Sequence, residues 1–140
     1  MWEPPSPPAA SSAAPEPTAE WMLGEARRVL AALPPQFADG VRDIVVAVPE
    51  FATPEQLASV GLEDRWELSG LYEGVPLSEQ SVWHSGTLPP RILLFRQVLL
   101  AEARETGVTL PALVRHVTIH EAGHHFGLSD EDMEALEQGE

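Results

Sequence analysis

Residues 120–130 read His-Glu-Ala-Gly-His-His-Phe-Gly-Leu-Ser-Asp. His120 and His124 stand four positions apart, so on a helix they share one face with Glu121 beside them. Two neutral imidazoles in that arrangement can hold a zinc ion through nitrogens at about 2.0–2.1 Å, and the carboxylate can take a proton from water activated there. Asp130 follows His120 by ten residues, and Gly127 between them offers a helix stop and a turn that would bring an oxygen ligand back. Asp130 would equally suit the first position of a following helix, where the dipole favours an acid. Glu134 is the substitute ligand if the ten-residue offset misleads. A water in the remaining position would make the centre an open one, unlike a structural zinc closed by four protein ligands.

Two further histidines flank this stretch. His116 lies eight residues from His124, about 12 Å along a helix axis, which is awkward for one tetrahedral site. It is expected to support the ligands from outside or to be an ordinary core histidine. His125 points about 100° away from His124 and is expected to be a hydrogen-bonded structural residue or a partner of the ligands. Tyr72, the only tyrosine, and His84 could each stabilise an oxyanion, with burial and solvent exposure as their respective alternatives. Trp2, Trp21, Trp66 and Trp83 share no helical or alternating spacing.

Composition narrows the remaining classes. The 140-residue chain has a net charge of −14, and all of its basic residues are arginine. That balance disfavours nucleic-acid backbone and anionic membrane surfaces, which attract positive charge. Cysteine is absent, so thiolate ligands, disulfides and cysteine nucleophiles are excluded, and a metal centre must use histidine, carboxylate and water. The amino terminus has neither a basic segment nor an apolar run, and no stretch is apolar for long enough to span a bilayer. A cytoplasmic monomer is the default expectation.

The elements that would position the site follow from pattern. Residues 1–17 hold six of the fourteen prolines and are expected to form a disordered Pro/Ala-rich tail, leaving one domain over residues 18–140. Thr18 can cap a helix carrying Met22, Ala26, Val29, Leu30 and Leu33 at helical spacing, ended by Pro34-Pro35. The β-branched run Val41–Val48 reads as a strand. Thr53 and Pro54 start a short helix ending at Gly61. Glu67–Glu73 reads as a second strand, residues 74–90 as a long loop, and Arg91–Arg96 as a third strand passing into a helix that ends near Gly107. Thr109 caps the site helix, Leu110–Phe126. At about 100° per residue, Leu113, His116, Val117, His120, Glu121 and His124 fall on one side of it. Ala112, Ile119, Ala122, Gly123 and Phe126 fall on the other, an apolar stripe in which Gly123 admits a close neighbour. Ser129 with Asp132 three residues later resembles the start of a terminal helix.

The chain resembles a family of small bacterial zincin-like metallopeptidases, the minimal zincins. The resemblance rests on Leu71-Tyr-Glu-Gly74 followed by Pro76, on Leu88-Pro-Pro-Arg-Ile-Leu-Leu-Phe-Arg96, and on Val117-Thr-Ile-His-Glu-Ala-Gly-His-His-Phe-Gly-Leu128 with Asp130. It implies an α+β domain with a small mixed β-sheet packed on helices that include the zinc-site helix. It also implies zinc held by His120, His124 and Asp130, Glu121 as general base, and a peptide or protein substrate. By analogy with zincins, Arg91–Phe95 would be the edge strand that pairs with an extended substrate. The chain departs from metzincins, which carry histidine where Asp130 stands, and Met133 follows Asp130 too closely for their methionine turn. The alternative is a zincin-fold protein-binding module that holds metal with little or no turnover.

Overall fold

Thr18 caps the first helix as its type requires: its hydroxyl accepts from the Trp21 amide at 3.0 Å. The computed structural model describes residues 17–74 and 89–139. The tail at 1–16, Trp83 and His84 lie outside the described residues. Helix α1 (Ala19–Ala31) buries Met22, Ala26 and Leu30, and Pro34 stops the run. A short helix, α2 (Ala38–Val41), follows a 3-10 turn at Pro35–Phe37. Strand β1 is Val45–Ala47, helix α3 Pro54–Ser59 and strand β2 Gly70–Glu73. Strand β3 (Arg91–Leu94) leads through Phe95 into helix α4 (Arg96–Thr106), which Gly107 ends in a left-handed conformation. The site helix α5 is Leu110–Phe126, and α6 is Asp130–Gly139. The expected α+β class with a small mixed sheet is what is found.

The sheet order is β1-β3-β2, with β1 parallel and β2 antiparallel to β3. The central strand is buried on both faces, which is why its sequence is an unbroken Ile-Leu-Leu-Phe run rather than an alternating one. Ile92 and Leu94 join Val46, α1 and α5 in the larger core; Leu93 and Phe95 point the other way, to Leu71, Ala52, Leu57 and Val98. The expectation that Arg91–Phe95 is an edge strand is therefore overturned: β3 has a neighbour on each side, and among the described residues β2 is the edge beside α5.

Three other expectations change in detail. The Val41–Val48 strand shrinks to Val45–Ala47, because residues 38–41 close a helical turn with Asp39 and Arg42 paired at 2.9 Å. The Glu67–Glu73 strand begins only at Gly70, because Asp64 accepts from the Trp66 amide and holds Arg65–Glu67 in a 3-10 turn. Trp66 then packs edge-on against Phe51 at 4.8 Å. The two-sided reading of α5 is also corrected. Leu113 and Val117, grouped with the histidines, are core residues, and Ala112, assigned to the apolar stripe, is exposed. Helices α1, α4 and α6 and strands β2 and β3 all pack on α5, so burial extends around most of it. Among the described residues, no helix is long and apolar enough to cross a membrane.

Candidate metal centre

Helix α5 is built to end sharply after its histidines. Gly127 adopts φ 70°, ψ 28°, a conformation cheap only for glycine. The Gly127 amide donates to His124 O at 3.1 Å and the Leu128 amide to Gly123 O at 2.9 Å, the paired bonds of a Schellman turn. The chain reverses, Ser129 Oγ accepts from the Asp132 amide at 3.1 Å, and α6 runs back along α5. A Cβ on Gly123 would lie 2.5 Å from Met133 Cγ, so the absent side chain is what lets α6 seat there. Asp130 begins α6, exposed, with its charge acting on His124.

His120, Glu121 and His124 come together, their ligand atoms all within 4.8 Å of one another. The two Nε2 atoms face each other at 3.3 Å, with the rings perpendicular at 89°. Bonds of about 2.0–2.1 Å meeting at a tetrahedral angle separate two nitrogens by about 3.3–3.4 Å, so the separation of this pair matches that of two zinc ligands. Partial burial and the neighbouring His120 both lower the His124 pKa, opposed by the charge of Asp130. The neutral, ligating form is thereby favoured. Asp130 and Glu134, the two residues considered for the third position, lie outside this 4.8 Å group and are exposed.

Glu121 is 7 % exposed, and burial raises its pKa to about 7, with a hydrogen bond from the Tyr72 backbone amide acting in the opposite direction. That bond follows from register. Leu71 and Glu73 stand opposite Leu93 and Arg91, and Ser69 O accepts from the Phe95 amide, so odd positions face β3. Gly70 and Tyr72 therefore direct their backbone groups away from β3, toward the side where Glu121 lies. Gly70 also permits the close approach of strand and helix, since a Cβ there would lie 2.3 Å from Val117 Cγ1 and 3.6 Å from Glu121 Cγ.

The flanking histidines separate. His116 is exposed, stacks against the His120 ring at 6.4 Å and places Nδ1 2.9 Å from the Glu137 carboxylate. His125 is fully buried, bonded to the Tyr72 hydroxyl at 2.7 Å and to Gly40 O at 2.8 Å. The Tyr72 hydroxyl is thus held by His125, and burial raises its pKa. The parts of the site not expected from sequence are the Gly70 contact and the Tyr72 amide. Gly70 opening a strand beside a helix was the only available signal.

A cavity of about 370 Å³ opens beside the cluster, lined by Val60, Leu68, Leu71 and Tyr72 together with Glu121 and His124. A larger one, about 420 Å³, lies between α1 and α5 over Val29, Leu33 and Ile119 and includes none of the three clustered donors. Of these two cavities, only the smaller is lined by any of the clustered donors. No curated protein matches the chain. A family model for zincin-like metallopeptidases matches residues 41–140, a span that holds the three described strands, the site helix and the returning α6. By that match, over a helix whose paired histidines already stand at zinc-ligand separation, the chain belongs to the zincin-like metallopeptidase family.

Proposed function

We propose that the protein is a zinc-dependent peptidase whose cleft lies between β2 and α5. The observation that carries this reading is the convergence of the His120 and His124 Nε2 atoms at 3.3 Å beside the buried Glu121 carboxylate. His120, His124 and Asp130 would hold the metal. In support of Asp130, the Gly127 turn folds α6 back so that its first residue acts electrostatically on His124. Bound zinc supplies Lewis acidity, acidifying water and polarising a carbonyl oxygen.

Glu121 moves the protons. Its carboxylate accepts one from the attacking water as the water oxygen bonds to the peptide carbonyl carbon. As the C–N bond breaks, the same oxygen returns that proton to the departing amine. In the metal-free protein burial raises the Glu121 pKa to about 7, so this carboxyl can hold a proton as well as release one. An adjacent cation favours the ionised, accepting form before attack. The Tyr72 amide, donating to Glu121, holds the carboxylate at the cleft side of β2. An extended peptide would lie along this strand, with the apolar wall of Val60, Leu68 and Leu71 beside it.

Hydrolysis of unstructured peptides by the zinc-loaded protein tests the reading. Glu121→Gln should retain zinc and lose turnover by about 10²–10⁴-fold. Equal activity in the two proteins removes Glu121 from the chemistry. Stoichiometric zinc with no turnover in either points instead to a metal-holding binding module.

A further inference from the structure

His125 is the buried titratable group that the proton transfers above do not use. It is 1 % exposed, yet both ring nitrogens are bonded. Gly40 O can only accept, so His125 Nε2 carries the proton at that 2.8 Å contact. In the neutral ring Nδ1 is then bare and accepts from the Tyr72 hydroxyl at 2.7 Å. Tyr72 is held a second time through its backbone, whose amide donates to Glu121.

These bonds matter because of where β2 sits. It has four residues, and among the described residues only β3 pairs with it. The ladder to β3 sets its register but leaves its offset from α5 to side-chain contacts. Gly70 seats one end of the strand against Val117 and Glu121. The Tyr72–His125 bond ties the next outward-facing residue to the last turn of α5, and Gly40 in α2 holds the imidazole from behind.

We infer that His125 is a positioning residue for peptide hydrolysis: through the Tyr72 hydroxyl it fixes β2 over α5 and thereby aims the Glu121 carboxylate at the reacting atoms. The inference rests on the reading of Glu121 as the base. It assigns no contact between His125 and substrate or metal.

The test compares zinc-loaded wild type with Tyr72→Phe, His125→Leu, their double variant and His125→Gln. Turnover, KM, zinc content and amide exchange at residue 72 are read for each. Either single variant should lower kcat by about 10- to 100-fold, the scale of a small misplacement of reacting groups, with KM and zinc content near wild type. The double variant should lose no more than the worse single one, because both cut the same chain. His125→Gln keeps an acceptor oxygen and a donor N–H and should recover most of the rate. Wild-type kcat in folded, zinc-loaded Tyr72→Phe overturns the inference, as do losses that multiply in the double variant. If His125→Leu does not fold, Tyr72→Phe and His125→Gln decide. If wild type itself has no turnover, the proposed function fails and amide exchange decides the brace. Exchange at residue 72 about tenfold or more faster in Tyr72→Phe supports it, and an unchanged rate overturns it.

Discussion

His124 and His125 are sequence neighbours on two flanks of one helix, and they are treated in opposite ways. Toward the cleft, the His124 and His120 ring nitrogens meet only each other among the described residues, at 3.3 Å. Toward the interior, His125 has an acceptor and a donor at 2.8 and 2.7 Å. A buried polar group with both positions satisfied is structural, since leaving either unmade would cost about 1–3 kcal/mol. Paired lone pairs at a partly open surface are what a bound cation requires. Glu121 stands between these cases: buried like His125, but with its ionised form opposed by that burial. The difference teaches that residue type alone does not mark a ligand; what the neighbouring elements leave unbonded does.

The largest expected effect tests this division directly. His120→Ala and His124→Ala should each abolish stoichiometric zinc, while His125→Gln retains it, measured as metal content of the purified protein. Equal zinc loss in His125→Gln would break the comparison. Asp130→Ala sharpens it: its loss of affinity should exceed the roughly 10- to 100-fold expected for an outer partner, with Glu134→Ala well below that. Zinc affinity should also fall in acid. Because the His124 pKa is lowered, its contribution should be lost at a lower pH than that of an ordinary histidine. A metal titration between pH 5 and 8 reads this.

Next in size is the cost of burying Glu121. Its folded pKa, about 7, lies above the ordinary 4.5, so the folded metal-free protein binds this proton more tightly than the unfolded chain. That contribution to stability is fully present below pH 4.5 and is lost as pH rises through about 7. Metal-free Glu121→Gln should therefore be more stable than wild type above pH 7 by on the order of 3 kcal/mol, with the gap closing in acid. Urea denaturation at pH 8 and pH 5 gives the two ends. Equal stability at pH 8 would mean that the carboxylate is less isolated than its surroundings indicate.

The smallest effects separate the two glycine contacts that clamp α5. Gly123→Ala meets Met133, an unbranched side chain that can swing aside, and should cost about 1 kcal/mol. Gly70→Ala meets Val117 Cγ1 at 2.3 Å and Leu93 O at 3.3 Å, a stiff β-branched side chain and a backbone atom, and should cost nearer about 3 kcal/mol. Denaturant midpoints for the two variants, and for Gly123→Ala with Met133→Ala, compare the flanks. The reverse order would show that the α6 side is the rigid one.

Much of the scaffold was legible in advance because local chemistry governs it. Thr18, Thr53 and Thr109 all cap helices, and Gly107 and Gly127 all but announce helix ends. The strands were less so. Val41–Val48 is dense in β-branched residues and Glu67–Glu73 alternates, yet a helix end and turn take residues 41–43 and a 3-10 turn takes Glu67. β-branched and aromatic residues report burial as much as extension, and tertiary packing chose between the two. Sheet order was not legible at all. An apolar run such as Ile92–Phe95 is equally consistent with several neighbours, and only pairing shows that β3 is central.

By itself, the sequence determined that paired histidines and a carboxylate would be grouped as a candidate metal site. Histidines four apart on a helix must share a face, and a glycine in the left-handed region must end that helix, because both are consequences of backbone geometry within a few residues. Tertiary structure decided what surrounds those donors. Which strand borders the cleft, which amide meets Glu121, and whether a histidine waits for a ligand or braces a tyrosine depend on contacts between residues 53 and 85 positions apart. Those contacts are selected by how the core closes, and no local pattern encodes them.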